Sequence, residues 1–270
     1  WTDPNAEGRF RLRARVLSDE QRQRVRNYLE DVFSGKVNTI GQAAPDAEEA
    51  VREKLGVAPE QKIALLIGQV PFDVVMVYDL GVFDNMLGFI EGTIDFFRER
   101  PDYTLVVRLH PFEEVIGGDR TWKQLQEHSL PGNVRVVHSK DINTYSIMRI
   151  ADFGIASTSQ AALEMAAMNK PVALVGEAFF GRQGFTFDIE DADDFTRTLQ
   201  RLCDTPDFTP AMQDAMERFL YHIIFEHQVP YHREAWQFSG AAANQIARMI
   251  GLARPGFMSE AETCIVHADA

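Results

Sequence analysis

VVRLHPFEE, residues 106–114, is a short apolar run that stops on a His-Pro pair and then turns acidic. Proline fixes φ and has no N–H, so the strand ladder ends beside His110. A short, near-continuous apolar run of this kind reads as a strand covered on both faces, as parallel sheets require. His110 then stands at the carboxyl end of that strand with its imidazole directed at a crevice. There it either meets an anionic group or is satisfied by a backbone carbonyl.

Working outward, the same unit recurs. KIALLIG (62–68) precedes it, and NVRVVHS (133–139), FGIAS (153–157) and PVALVG (171–176) follow. Between these runs the apolar spacing predicts helices over 83–98, 122–128, 144–151 and 159–169. Five strands alternating with helices predict an α/β fold: one Rossmann-like, doubly wound parallel sheet with helices on both faces. Upstream, LSDEQRQRVRNYLEDVF (17–33) predicts an amphipathic helix with Ser18 as N-cap, and 47–55 a second, shorter one. Residues 1–59 are expected to be a helical linker or the remnant of an upstream domain, 60–205 the Rossmann-like domain, and 206–270 C-terminal helices and a tail. In that last part DADDFTRTLQRLC (191–203), AMQDAMERFLYHIIFEH (211–227) and FSGAAANQIARMIGL (238–252) carry helical patterns. The chain opens on Trp1 within a polar segment, which reads as part of a longer protein.

Composition narrows the function classes. The 270 residues are 45% hydrophobic with a formal net charge of -13, so a sequence-independent grip on nucleic-acid phosphates is not expected. Two cysteines, Cys203 and Cys264, lie far apart without metal-type spacing, which excludes a disulfide scaffold. No stretch has the length of a spanning helix or the layout of a signal segment. The expectation is a cytoplasmic protein, with peripheral attachment to the inner face of the membrane left open.

In an open parallel sheet, ligands bind outside the carboxyl ends of the strands. After the first strand, GQVPFD places Gln69 and Asp73 on a loop; Gln suits a base or sugar, and Asp suits hydroxyls or a proton. After the second come His110 and Pro111. After the fourth, STSQ (157–160) sets the hydroxyls of Ser157, Thr158 and Ser159 beside the free N–H groups of a helix start, an anion site or a plain N-cap. Gln160 and Glu164 share a face of that helix, so Glu164 either reaches ribose hydroxyls or faces water. After the fifth, GEAFFGRQGFT (176–186) frames Phe180, Arg182 and Gly184, suited to sugar, base or phosphate, or to packing under a loop. His222, His227 and His232 lack a carboxylate at fixed spacing, so no metal is expected. An early GxGxxG is missing and no cofactor is expected beyond a nucleotide-bearing substrate.

Taken together, LLIGQVPFD, FDNML, VVRLHPFEE, STSQAALEM, NKPVALVGEAFFGRQGFT and FLYHIIFEHQVPY resemble the capsule polysaccharide biosynthesis proteins. The best-understood members are Kdo transferases of GT-B-type fold that use CMP-Kdo. The resemblance runs over about residues 62 to 231 and implies the donor-binding half of such an enzyme. It implies that His110 and Pro111 contact the nucleotide and its phosphate, that Ser157, Thr158 and Ser159 hold the phosphate, and that Gln160 and Glu164 follow in the motif. The chain departs from its relatives at Ala162, where Gly is frequent, at Phe179-Phe180, where a Tyr-bearing loop is frequent, and at Arg108, where Lys is common.

The expected activity is transfer of a sugar, Kdo or another, from a CMP-activated nucleotide sugar to a glycan or lipid-linked acceptor. His110 and the Ser157–Ser159 hydroxyls would stabilise the departing phosphate, with Asp73 as a further catalytic candidate. Capsule synthesis and export machinery is the expected partner, and no nucleic acid is. Two alternatives stand beside it: a polyol-phosphate transferase of teichoic-acid type using a CDP-alcohol, and a non-catalytic nucleotide-binding module. The acceptor site and general base normally lie in the other Rossmann half, without which this chain would bind nucleotide and turn over poorly.

Overall fold

Ser18 starts the first helix with a complete capping box: its hydroxyl accepts the Gln21 N–H, and the Gln21 side chain accepts the Ser18 N–H. In this computed structural model, residues 15–34, 43–70, 81–111, 120–127, 129–138 and 140–227 are described. Helices α1 (Asp19–Phe33) and α2 (Glu48–Leu55) precede strand β1 (Lys62–Ile67). Then follow α3 (Met86–Arg98), β2 (Tyr103–Arg108), α4 (Arg120–Gln126), β3 (Val134–Val137), α5 (Thr144–Ile150) and β4 (Phe153–Ala156). The series closes with α6 (Gln160–Ala167), β5 (Val172–Leu174), β6 (Phe187–Asp188), α7 (Ala192–Asp204), α8 (Pro210–Tyr221) and a π-helical turn, His222–His227.

The strands form one sheet in the order β3-β2-β1-β4-β5-β6, and every pairing is parallel. The central strands are buried along their length, which is why their sequences lack alternation. One face packs Phe89, Ile90, Ile94 and Phe97 of α3 and Phe195, Leu199 and Leu202 of α7 against Ala64, Leu105 and Phe153. The opposite face packs α1, α2, α5, α6 and α8 against Ile63, Leu65, Ile67, Val106 and Ala156. The doubly wound parallel sheet expected from the sequence is therefore the observed architecture. The chain order reverses between β2 and β4, on either side of β1, so the switch point lies at the carboxyl ends of β1 and β4.

Differences from the expected elements have local causes. All five anticipated strands are present; β6 is a sixth, whose two residues are too few to show a period. Helix α3 begins at Met86, not Phe83, because the Asn85 side chain accepts the Gly88 N–H and caps it there. Phe83 instead packs its ring against Phe89 and Phe195. At the carboxyl edge β1 and β2 approach so closely that a Cβ on Gly68 would lie 2.7 Å from the Arg108 carbonyl oxygen. Gly68 is the residue that this approach permits.

The chain divides into two units after Phe225, and of the second only Glu226 and His227 are described. The helix expected over 238–252 lies outside the described residues. Among the described residues, no helix is long and apolar enough to cross a membrane.

Candidate functional site

At the switch point the two loops meet. Gln69, two residues beyond β1, accepts from the Thr158 hydroxyl at 3.0 Å and from the Thr158 N–H at 3.4 Å. A residue after β1 and a residue after β4 are thus tied together across the crevice that the sheet topology creates. Beside them Ser157 is fully buried and its Oγ has no hydrogen-bond partner. A buried hydroxyl left unmatched is unusual and lacks a complement in the protein.

Ser159 is the N-cap of α6, with extended backbone, yet its side chain makes no capping bond. The first N–H groups of α6 are therefore left without the side-chain acceptor that an N-cap serine ordinarily provides. The positive end of the helix dipole and these donors face the same carboxyl edge as Thr158 and Ser157. Gln160, the first helical residue, is exposed. The three hydroxyl residues expected at an anion site all lie at this helix start, and only Thr158 has its hydroxyl engaged by Gln69.

One turn into α6, Glu164 is half-buried and accepts a hydrogen bond from the Tyr145 hydroxyl of α5. Burial pushes its carboxyl up; the Tyr145 bond and the charge of Arg108 pull it back. Arg108, the last residue of β2, is 5% exposed, and burial pulls its guanidinium down to about 10 against the opposing charge of Glu164. Sequence reasoning assigned neither Arg108 nor Tyr145 to the site. The signal was available: a strand reading TLVVRL puts a cation on a face that its neighbours bury.

His110 and Pro111 lie just past β2 on the same edge, both half-buried. Asp73 lies outside the described residues. The loop after β5 corrects one expectation: Phe180 is fully buried, its ring edge-on to Phe179, and belongs to the core. The aromatic that this loop exposes is Phe179, at 44%. Just beyond them Arg182 takes a left-handed φ of 57° and its N–H bonds to the Asp188 carboxylate. Arg182 itself is exposed and lies 3.6 Å from Glu177, a surface pair that contributes little. Gly184, at φ 95°, holds a conformation that favours glycine. Among the described residues no cluster of His, Cys, Asp and Glu could hold a metal.

No curated protein sequence matches this chain. Among solved structures it is similar to Thermosulfurimonas dismutans KpsC, beta Kdo 2,4 transferase, with 18% identity, TM-score 0.50, and coverage of 75% of this chain and 56% of that one. It is also similar to Thermosulfurimonas dismutans KpsC, beta Kdo 2,7 transferase (18% identity, TM-score 0.44, 77% and 55%). A third is the S. aureus MnaA-UDP co-structure (15% identity, TM-score 0.40, 75% and 49%). The chain thus spans about half the length of these proteins, and the first likeness identifies its sheet as one Rossmann-like unit of GT-B type. The model of the capsule polysaccharide biosynthesis proteins matches residues 9–222, and with that span, the parallel sheet and the motifs along its carboxyl edge, the chain belongs to the capsule polysaccharide biosynthesis protein family.

Proposed function

We propose that this chain is the donor-binding half of a glycosyltransferase of capsule polysaccharide synthesis, taking a CMP-activated sugar, Kdo in the first instance. The observation that carries the reading is the helix start at the switch point. Buried Ser157 Oγ has no partner, Ser159 makes no capping bond, and Thr158 is fixed by Gln69. Such a cluster of donors at the positive end of a helix suits a phosphate. The donor's phosphate would rest there, with His110 at the rim, and both would stabilise the charge that develops as the nucleotide leaves. This scheme asks for no metal and no cofactor. A glycan or lipid-linked acceptor and the base that activates it would be supplied from a second half of the enzyme.

Calorimetric titration with CMP, CDP and UDP tests this. Selective CMP binding that is lost in His110→Ala and in the Ser157/Thr158/Ser159 triple alanine variant is the expected result. Preference for CDP would move the assignment to a CDP-alcohol donor. No binding of any nucleotide by the folded chain would overturn the reading.

A further inference from the structure

Gln69 presents one carboxamide oxygen to two donors of a single residue, the Thr158 hydroxyl at 3.0 Å and the Thr158 N–H at 3.4 Å. An amide oxygen has lone pairs for both. A backbone N–H and a hydroxyl converging on one oxygen at a helix start is also the way a phosphate oxygen is held. Thr158 stands one residue before the Ser159 N-cap, and Ser157 before it is fully buried with an Oγ that has no partner. The two neighbouring hydroxyls are thus in opposite conditions, one engaged by a neutral acceptor and one by none.

The contact has a rigid backbone on both sides. Just before Gln69, the Gly68 N–H bonds to the Arg108 carbonyl at 2.8 Å, in an approach too tight for a side chain. Thr158 is held between the end of β4, where the Ala156 carbonyl accepts the Val175 N–H at 2.9 Å, and the start of α6. The Gln69 side chain, by contrast, is half-buried and reaches Thr158 through rotatable bonds. Parting the two needs a rotation of that one side chain toward its open side and no movement of the sheet.

We propose that Gln69 competes with the ligand's phosphate for Thr158: its carboxamide oxygen takes the place of a phosphate oxygen, and the nucleotide binds by displacing it. The inference rests on the nucleotide-binding reading above. A charged phosphate oxygen makes the stronger bonds to the same two donors, so it displaces a neutral amide oxygen. A ligand without a phosphate gains nothing from the exchange, and the contact therefore selects for phosphate. Its cost is apparent affinity, which is reduced to the fraction of molecules in which Thr158 is released.

Calorimetry on the 270-residue chain with CMP, inorganic phosphate and cytidine tests this. Gln69→Ala is expected to bind CMP and inorganic phosphate about two- to tenfold more tightly than wild type, the worth of the neutral hydrogen bonds that no longer have to be broken. Its affinity for cytidine stays as in wild type. A glutamine that touches the ligand, or that only steadies Thr158 for it, gives the opposite sign. Gln69→Met, of similar volume and without an acceptor, carries the test if Gln69→Ala does not fold. Thr158→Val completes a cycle. With Gln69 present it weakens CMP binding by about threefold or less, because the hydroxyl only exchanges one partner for another; in the Gln69→Ala background the loss is about tenfold or more. Unchanged or weaker CMP binding in the folded Gln69 variants, an equal gain for cytidine, or a Thr158→Val effect that does not depend on Gln69 overturns the inference while nucleotide binding stands. If wild type binds none of the three compounds, both fall.

Discussion

Asp188 ends the sheet's last row and holds the loop after β5, accepting the Arg182 N–H at 3.0 Å and the Thr186 hydroxyl at 2.9 Å. Burial pushes its carboxyl up, and those two bonds pull it back only in part. The folded chain therefore keeps the proton at pH values where the unfolded chain has already lost it. Stability from this group is highest at low pH, declines as pH rises from the unfolded carboxylate value of about 3.9 through the folded value, and is flat above. Asp188→Asn removes this dependence. The stability gap between variant and wild type should change across that acid window and be constant above it, as urea unfolding at a series of pH values would show. A gap that is constant throughout would mean Asp188 titrates in the fold as it does in the unfolded chain. Single residues were also where the sequence was hardest to read. Phe179 and Phe180 are identical in type and adjacent, so nothing in the sequence tells which is exposed and which is buried. Arg108 ends a strand that is buried along its whole length, and nothing in the run TLVVR by itself tells that its cation is buried with the rest.

Helix starts separate stability from ligand binding. At α1 the Ser18 hydroxyl and the Gln21 side chain complete a reciprocal cap, whereas at α6 the Ser159 hydroxyl makes no such bond. Ser18→Ala is expected to lower stability by about 1 kcal/mol. Ser159→Ala is expected to stay within about 0.5 kcal/mol of wild type and to weaken nucleotide binding instead. Thermal or urea unfolding of both variants beside a CMP titration checks the pair. Equal stability losses would mean that Ser159 is an ordinary cap. Elements were the scale at which the sequence was most legible, because a two-sided buried strand and an amphipathic helix leave different periods in the chain. The strand order was not legible at all: nothing in five similar apolar runs says that β1 lies between β2 and β4. Once that order is known, the STSQ segment and Gln69 fall at the same crevice, which their spacing in the chain conceals.

At the scale of the molecule, the helices before β1 belong to the core of the sheet. Val25 and Val51 are fully buried, Leu55 is 3% exposed, and all three join the cluster that contains Ile63, Leu65 and Ala156. Helix α1 is also clamped to α8 by Arg22, which pairs with Asp214 and Glu217, and to the π-helical turn after α8 by the edge-on contact of Tyr28 with Phe225. Arg135 of β3 reaches back to the Leu55 carbonyl at 2.8 Å, tying the end of α2 to the sheet. A division at residue 59, natural from the change in sequence pattern, would pass through this shared core. A chain beginning at Glu60 would uncover the face of β1 and β4 that these side chains fill. Burying each such side chain contributes about 1.5–3 kcal/mol, so losing three removes roughly 5 kcal/mol or more, comparable to the whole stability of many domains. The shortened chain is therefore expected to be poorly soluble or to unfold at much lower urea than the 270-residue chain. A shortened chain that unfolds at the same urea concentration and still binds CMP as the 270-residue chain does would mean that the sheet and the helices after β1 suffice for both stability and the site.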